Sequence, residues 1–521
     1  MGIYLNPDNI DFKEALNSEI YVDKTGLIAL TNKVIRTEQK YVCVSRPRRF
    51  GKSVTANMLT AYYSRGCDSG EMFQDYKISA SKSFREHLNQ YHVIRINMAE
   101  FSHIKEIGLM VGELEKALLF DIAEEFTEVK FFDSTNLVRT LKDVYARTKI
   151  PFIFIIDEWD CIFREHKEDI KAQSLYLDFL RNLMKNQSYI ALAYMTGILP
   201  IKKYGAHSAL NMFTEVSMTD PREYGEFTGF TEPEVMALCE RYHMPFEEVK
   251  QWYDGYHLMG TPVYNPRSVV MSFTGGYFNN YWTSTETYEA LKVYISMDFD
   301  GLNQMVTRLI AGEEIAINPT KFQNDMTTFH SADDILTLLV HLGYLTFDFY
   351  TKKVRIPNRE VAGEFINSIE DGGWEHVIKS IKSSRELLDA TLRGEADLVA
   401  ESIADCHREN TSVLKYNDEN SLACVICLAY YAAREKYEMW RELPAGEGFA
   451  DMVFLPRKNV NLPAILVELK RDKSAGAAIE QIERKHYPDK LKEYSGEIFL
   501  VGINYDSKDK IHTCKIHKSN L

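Results

Sequence analysis

The sequence has no basic excess, no dense cysteine framework and no long apolar run, and each absence removes a class of function. A formal net charge of −14 excludes a protein that coats nucleic acid or anionic membrane through bulk charge, and leaves only local basic grooves for such contacts. Eight cysteines in 521 residues, without regular spacing, fit a reducing compartment rather than a disulfide scaffold. Cys424 and Cys427 form a C-x-x-C pair inside an apolar run with no second pair to complete a zinc site, so core packing is expected of them. The longest apolar stretch, residues 421–433, falls short of the ~20 residues that span a bilayer. Residues 1–8 have neither a basic n-region nor an apolar h-region. No signal peptide and no membrane partner are expected, and a cytoplasmic location is. Internal repeats and low-complexity segments are lacking as well.

What is present is material for packed cores, 45% hydrophobic and 12% aromatic residues, in a chain too long for one core to organise. Short β-branched and aromatic runs at 41–45, 92–97, 151–156, 190–195 and 213–218 alternate with helical patterns such as 107–128 and 174–187. That alternation predicts an α/β fold, a parallel sheet with helices on both faces. After about residue 225 helices and polar turns take over, with Thr231 as an N-cap and Pro233 in the first turn of one helix. Residues 331–342, 344–350, 353–356 and a helix from about 358 read as helix, hairpin and helix, a winged helix that serves either as a packing lid or as a DNA contact. The helix at 331–342 is acidic and apolar, which favours the lid. Asp371-Gly-Gly is the best linker signal, and three domains are expected: 1–228, 229–372 and 373–521. From Trp374 onward basic and acidic side chains nearly balance, so the last domain is the least hostile to a polyanion.

The run at 41–45 leads straight into Arg46, Pro47, Arg48, Arg49, Phe50, Gly51, Lys52 and Ser53, followed by a helical stretch. Strand, loop, Gly-Lys-Ser and helix form the context of a phosphate-binding loop, in which main-chain N–H groups cradle phosphates, Lys52 neutralises the β and γ oxygens, and Ser53 ligates Mg2+. Arg46 stands where the general motif has its first glycine. The apolar run 152–156 empties into Asp157 and Glu158; Asp157 would hold the Mg2+ shell and Glu158 would polarise water for attack on the γ-phosphate. Thr196, at another strand end, either senses the γ-phosphate or is an ordinary turn residue. Together with Tyr21-Val-Asp-Lys-Thr25, Trp252-Tyr-Asp-Gly-Tyr256 and Tyr264-Asn-Pro-Arg-Ser268, these motifs resemble the bacterial AAA-ATPase-like family related to archaeal STAND-type ATPases. In that family arginine at the first loop position is usual. The resemblance covers about residues 1–370 and implies an extra strand between the two Walker strands, a helical lid and winged helix, ATP as cofactor, and residues 21–25 near the nucleotide base. The aromatic cluster Trp252, Tyr253 and Tyr256 is expected to lock a core rather than to stack on a base.

In the last domain two strand-like runs, 449–455 and 464–470, bracket Pro456 and Pro463 and read as an antiparallel hairpin. If its loop is symmetric, the register that opposes the prolines also opposes Asp451 and Glu468. Two facing carboxylates repel unless a divalent cation lies between them, and strand alternation puts Lys470 on the face of Glu468. This arrangement resembles the core of the PD-(D/E)XK nuclease superfamily and so a restriction-endonuclease-like α/β domain. The resemblance implies Asp451 and Glu468 as ligands of Mg2+ (or Mn2+), Lys470 as the residue that orients the attacking water or offsets charge, Glu419 as an additional acid, and Gln481 as an auxiliary residue on the following helix. The alternative is a sheet edge with a Glu–Lys salt bridge. The sequence thus points to an ATPase whose nucleotide state controls a metal-dependent nuclease, with ATP and DNA as partners and with RNA and homo-oligomerisation left open. The competing reading is a regulatory or scaffold protein in which neither centre turns over.

Overall fold

The computed structural model describes residues 2–104, 106–201, 210–282, 287–297, 300–324, 326–370, 374–410, 419–445, 448–457, 460–484 and 496–520. The chain divides into two compact units, Met1–Thr287 with Ala316–Gly363 and Tyr288–Ile315 with Glu364–Leu521.

In the first unit β1 (Tyr41–Ser45), β2 (His92–Asn97), β3 (Phe152–Asp157), β4 (Ile190–Gly197) and β5 (Thr214–Val216) form one sheet in the order β2-β3-β4-β1-β5. Every pairing is parallel. β1, β3 and β4 are buried along their whole length, which is why these strands read as unbroken apolar runs rather than alternating ones. β4 lies between β1 and β3, the extra strand that the family resemblance implies. Register brings the carboxyl ends level, with Ser45 beside Gly197 and Asn97 beside Asp157. Helices α1 (Lys52–Tyr63), α2 (Ile107–Glu125), α3 (Leu137–Thr148) and α4 (Ile170–Met184) accompany the strands. α4 begins four residues before its expected start because the Asp169 carboxylate accepts the Ala172 N–H and caps it.

The remainder of this unit starts at α5 (Glu232–Tyr242), which opens on a capping box of Thr231 and Glu234 with proline in its first turn. α6 (Pro266–Gly275) is capped by Asn265, whose side chain accepts the Ser268 N–H. α7 (Ala332–Leu342), a hairpin of Thr346–Phe347 with Lys353–Arg355, and α8 (Arg359–Glu370), of which residues 364–370 are counted with the second unit, follow in the order expected of a winged helix. The hairpin strands are shorter than their sequence pattern because Asp348 accepts the N–H groups of Tyr350 and Thr351 at 2.8 and 2.7 Å and turns the chain early. Ile335 to Val340 of α7 are all buried, so this helix packs rather than presenting a free face. Tyr253 and Tyr256 are core residues, and Trp252 stacks on Phe278. The Asp371-Gly-Gly segment lies outside the described residues.

The second unit holds a five-stranded sheet of β6 (Tyr437–Ala445), β7 (Gly448–Pro456), β8 (Ala464–Arg471), β9 (Glu497–Asp506) and β10 (Ile511–Asn520) in chain order. Only the β8–β9 pairing is parallel, and α12 (Ala475–Arg484) lies in the connection that this pairing requires. α9 (Glu375–Arg393), α10 (Ala396–Asn410) and α11 (Glu419–Ala429) precede the sheet. Cys424 and Cys427 are buried in α11 as core residues. Among the described residues no helix is long and apolar enough to cross a membrane.

His407 on α10 and His512 on β10 meet with Nδ1 and Nε2 2.9 Å apart, both within 4.7 Å of the Tyr505 ring centroid. Burial, reinforced for His407 by its neighbour, lowers their pKa values to about 3 and about 4. Both stay neutral in the folded protein while the unfolded chain takes up protons near pH 6.5. Their contribution to stability is therefore complete above that pH and is lost as the pH falls toward 4. Urea unfolding at pH 7.5 and pH 5 should show a loss of roughly 2–4 kcal/mol, and His512→Asn should flatten that slope; an equal slope in the variant would assign the effect elsewhere.

Candidate functional site

The turn from β1 to α1 is built around two left-handed residues, Arg49 (φ 70°) and Gly51 (φ 82°), and Gly51 is the N-cap of α1. A Cβ at Gly51 would meet nothing within 4 Å, so the need for glycine there is conformational rather than steric. Lys52 is buried, with Nζ donating to the carbonyls of Arg46 and Pro47 at 2.9 and 2.8 Å. Burial lowers its pKa against the opposing pull of Glu158, Asp157 and Asp160. Arg46 takes a different course from the rest of the loop: its side chain is wholly buried, Nη1 donates to Ser45 O at 2.8 Å, and Nε and Nη2 have no partner among the described residues. Burial lowers its pKa to about 10.

Asp157, at the tip of β3, is buried and gathers the neighbouring strand ends. Arg95 of β2 donates to Oδ2 at 3.2 Å, Thr196 of β4 donates to Oδ1, and the Glu158 N–H bonds Oδ1 at 3.1 Å. Burial would raise the Asp157 pKa, but Arg95, the hydroxyls of Thr196 and Ser53, and Lys52 outweigh it and hold the carboxyl below its ordinary value. Ser53 and Asp157 are thus brought together, and Thr196 acts on Asp157. Glu158 adopts φ 54°, and its carboxylate accepts from Arg164. Arg164 also faces Asp160, Nε to Oδ2 at 3.3 Å, and that same oxygen takes the N–H groups of Ile198 and Leu199 at 3.1 and 2.8 Å.

A cavity of about 660 Å3 opens over the loop and is lined by Arg48, Arg49, Phe50, Gly51, Lys52, Ser53 and Glu158. Arg46, Pro47, Asp157 and Thr196 are not lining residues. Its apolar wall comprises Ile20, Tyr21, Val22, Phe230 and Val270, and its charged lining is six cations (Lys24, Arg48, Arg49, Lys52, Arg164, Arg267) against two carboxylates, Glu158 and Glu165. That surplus suits a polyanionic guest with one apolar end. The 21–25 segment reaches this wall because Asp23 accepts from Thr25 and Lys77, while Lys24 Nζ donates to Glu226 O at 2.8 Å and to Glu234 at 2.5 Å.

In the second unit Met452, Val453 and Phe454 pair with Val467, Leu466 and Ile465. This is the expected hairpin register, and its next step is Asp451 with Glu468. Asp451 Oδ2 accepts the Leu469 N–H at 2.7 Å. Glu468 is 1% exposed; its Oε1 accepts from Lys470 Nζ at 3.0 Å and from Gln481 Nε2. Gln481 reaches it because α12 crosses β9 at Gly502, the register partner of Glu468, where any Cβ would lie 2.4 Å from Ala475 O. Glu419 starts α11, but its side chain lies outside the described residues. Among those residues no cluster of three or more His, Cys, Asp or Glu is poised for a metal. The pair Asp451 and Glu468 offers hard oxygen donors, the chemistry that suits Mg2+ or Mn2+.

Residues 10–206 match the family model described as predicted AAA-ATPase, and residues 417–514 match that of the PD-(D/E)XK nuclease superfamily. The chain joins an AAA-ATPase-like domain to a PD-(D/E)XK-superfamily domain. An uncharacterized protein in the vnfD 5′ region of Azotobacter chroococcum mcd 1 is 24% identical over 512 residues, covering 93% of this chain and 92% of its own length. Among solved structures, the Walker-type ATPase paby2304 of Pyrococcus abyssi is 15% identical over 66% of this chain and 94% of its own, with a TM-score of 0.32. The Aeropyrum pernix ORC2 protein is 12% identical over 70% of this chain and 98% of its own, with a TM-score of 0.31.

Sequence reasoning missed Arg95, Asp160 and Arg164; Lys24 and Arg267 fall inside the motifs at 21–25 and 264–268 but were given no role of their own. Arg95 had a signal, a lone charge inside the apolar strand of 92–97; Asp160 and Arg164 had one too, an i,i+4 pairing just after Asp157 and Glu158, whereas the bonds of Asp160 to Ile198 and Leu199 are distant in the chain. For the PD-(D/E)XK-superfamily site, Asp451→Asn keeps an acceptor for Leu469 and removes a charge from beside Glu468. Metal-free stability should hold or rise by up to about 1 kcal/mol, whereas Lys470→Ala, which takes the ammonium from buried Glu468, should cost about 1–3 kcal/mol. Urea unfolding measures both, and a destabilised Asp451→Asn would mark a purely structural ion pair.

Proposed function

We propose that the AAA-ATPase-like domain binds and hydrolyses ATP with Mg2+, and that its nucleotide state controls a metal-dependent nuclease in the PD-(D/E)XK-superfamily domain, acting on nucleic-acid phosphodiesters with DNA as the favoured substrate. The observation that carries this is the convergence on one sheet end of Lys52, Ser53 and Asp157, with Glu158 turned into a cation-rich cavity. The loop N–H groups and Lys52 would hold the phosphates, Ser53 and Asp157 the metal, and Glu158 would take the proton of the attacking water. Asp451 and Glu468 would hold the second metal, which when bound supplies a water of lowered pKa. Lys470 would orient that water, and Gln481 would keep Glu468 in place. The working division is an ATPase domain at 1–228, a lid and winged helix at 229–372, and a nuclease domain at 373–521, in a cytoplasmic protein.

The test combines both centres. Lys52→Ala should abolish ATP binding in calorimetry, and Glu158→Gln should keep binding while losing at least about 100-fold in turnover. Plasmid, linear and single-stranded DNA and RNA, incubated with Mg2+ or Mn2+ and with or without ATP, should show cleavage that Asp451→Asn and Lys470→Ala both lose. ATP binding without cleavage under any of these conditions would replace the nuclease with the regulatory or scaffold reading.

A further inference from the structure

The phosphate loop is held from behind by residues that no motif assigns. Arg48 O accepts the Trp282 indole N–H at 3.3 Å. Phe50 O accepts the Gly229 N–H at 3.0 Å, and the Phe50 ring meets the edge of Tyr256 at 5.2 Å between centroids. Gly343 passes so close to Pro47 that a Cβ would lie 2.7 Å from the proline Cβ and 3.0 Å from the Trp282 ring. Tyr256 Oη donates to Gly343 O at 2.7 Å, and Trp282 packs its ring against Tyr344 at 5.3 Å. Trp282 is in turn fixed by Glu360 in the first turn of α8. The buried Glu360 carboxylate accepts the N–H groups of Tyr281 and Trp282 at 2.7 and 2.9 Å, and the Ser268 hydroxyl at 2.9 and 3.0 Å. Ser268 adjoins Arg267, which lines the cavity.

We propose that Trp282 and Glu360 are positioning residues of the nucleotide site: Glu360 holds Trp282 so that its indole fixes the Arg48 carbonyl and thereby the set of the phosphate loop. This rests on the nucleotide-binding reading above. Arg48 lines the cavity while its carbonyl is held by the buried Trp282 indole, so that bond bears on where the loop N–H groups point. The same contacts make the winged-helix segment a reader of the loop, because Gly343, Tyr344 and Glu360 belong to it.

The experiment compares ATP affinity by calorimetry with melting temperature in the parent chain, Trp282→Phe, Glu360→Gln and Glu360→Ala. Trp282→Phe keeps a ring against Tyr344 and deletes one donor. Its Kd for ATP should rise about 3- to 10-fold, while its melting temperature stays within about 3 °C of the parent. Glu360→Gln retains an acceptor oxygen and should recover most of the affinity that Glu360→Ala loses. Parent-like affinity in Trp282→Phe would overturn this inference and leave the nucleotide site standing. Affinity that falls only in step with melting temperature in every variant would mark a packing role and overturn it as well. Absence of ATP binding in the parent chain would remove the nucleotide-binding reading, and this inference with it.

Discussion

Asp157 is a carboxylate in an apolar sheet, and an ionised group there survives only if its neighbours replace the water it has lost. Three strand ends and the first turn of α1 supply that replacement through Arg95, Thr196, the Glu158 main chain and Ser53. Satisfying one charge therefore fixes the relative heights of β2, β3 and β4, and with them the floor on which the phosphate loop rests. The chemistry proposed for the first unit and the order of its sheet share this one electrostatic requirement.

Glu468 repeats the logic on a different architecture. It sits in a buried strand with one parallel and one antiparallel neighbour, and its partners come from its own strand and from the helix that follows, Lys470 and Gln481. Here a glycine makes the arrangement work: a Cβ at 502 would collide with Ala475 O, and α12 would have to stand off the sheet and draw Gln481 away from Glu468. Backbone shape and side-chain chemistry are inseparable at this point of the domain.

The parts of these sites legible in the sequence were those set by neighbours in the chain. Gly51, Lys52 and Ser53 are consecutive and govern one turn. Strand period and two prolines were enough to place Asp451 opposite Glu468 and Lys470 beside it. What escaped was the tertiary half of each interaction. Arg95 meets Asp157 across a parallel pairing, and such pairings join segments far apart in sequence whose partners no local pattern names. Glu360 reaches Ser268 from α8 for the same reason. The loop arginines look alike on paper, yet Arg48 and Arg49 line a cavity while Arg46 turns into the core, a choice made by how the main chain leaves β1. Helix and hairpin ends shifted wherever an aspartate, 169 or 348, captured nearby N–H groups.

The contact of Lys52 with the carbonyls of Arg46 and Pro47 has a kinetic side. A lysine waiting in bulk water would have to shed a hydration shell each time a polyphosphate arrived. This ammonium is buried and gives two of its three N–H groups to loop carbonyls, so in the proposed role a polyphosphate would meet the third at once and gain the other two only as those carbonyls turn away. Under that reading, the rate at which the site fills would depend on the swing of two peptide planes in the loop as well as on dehydration.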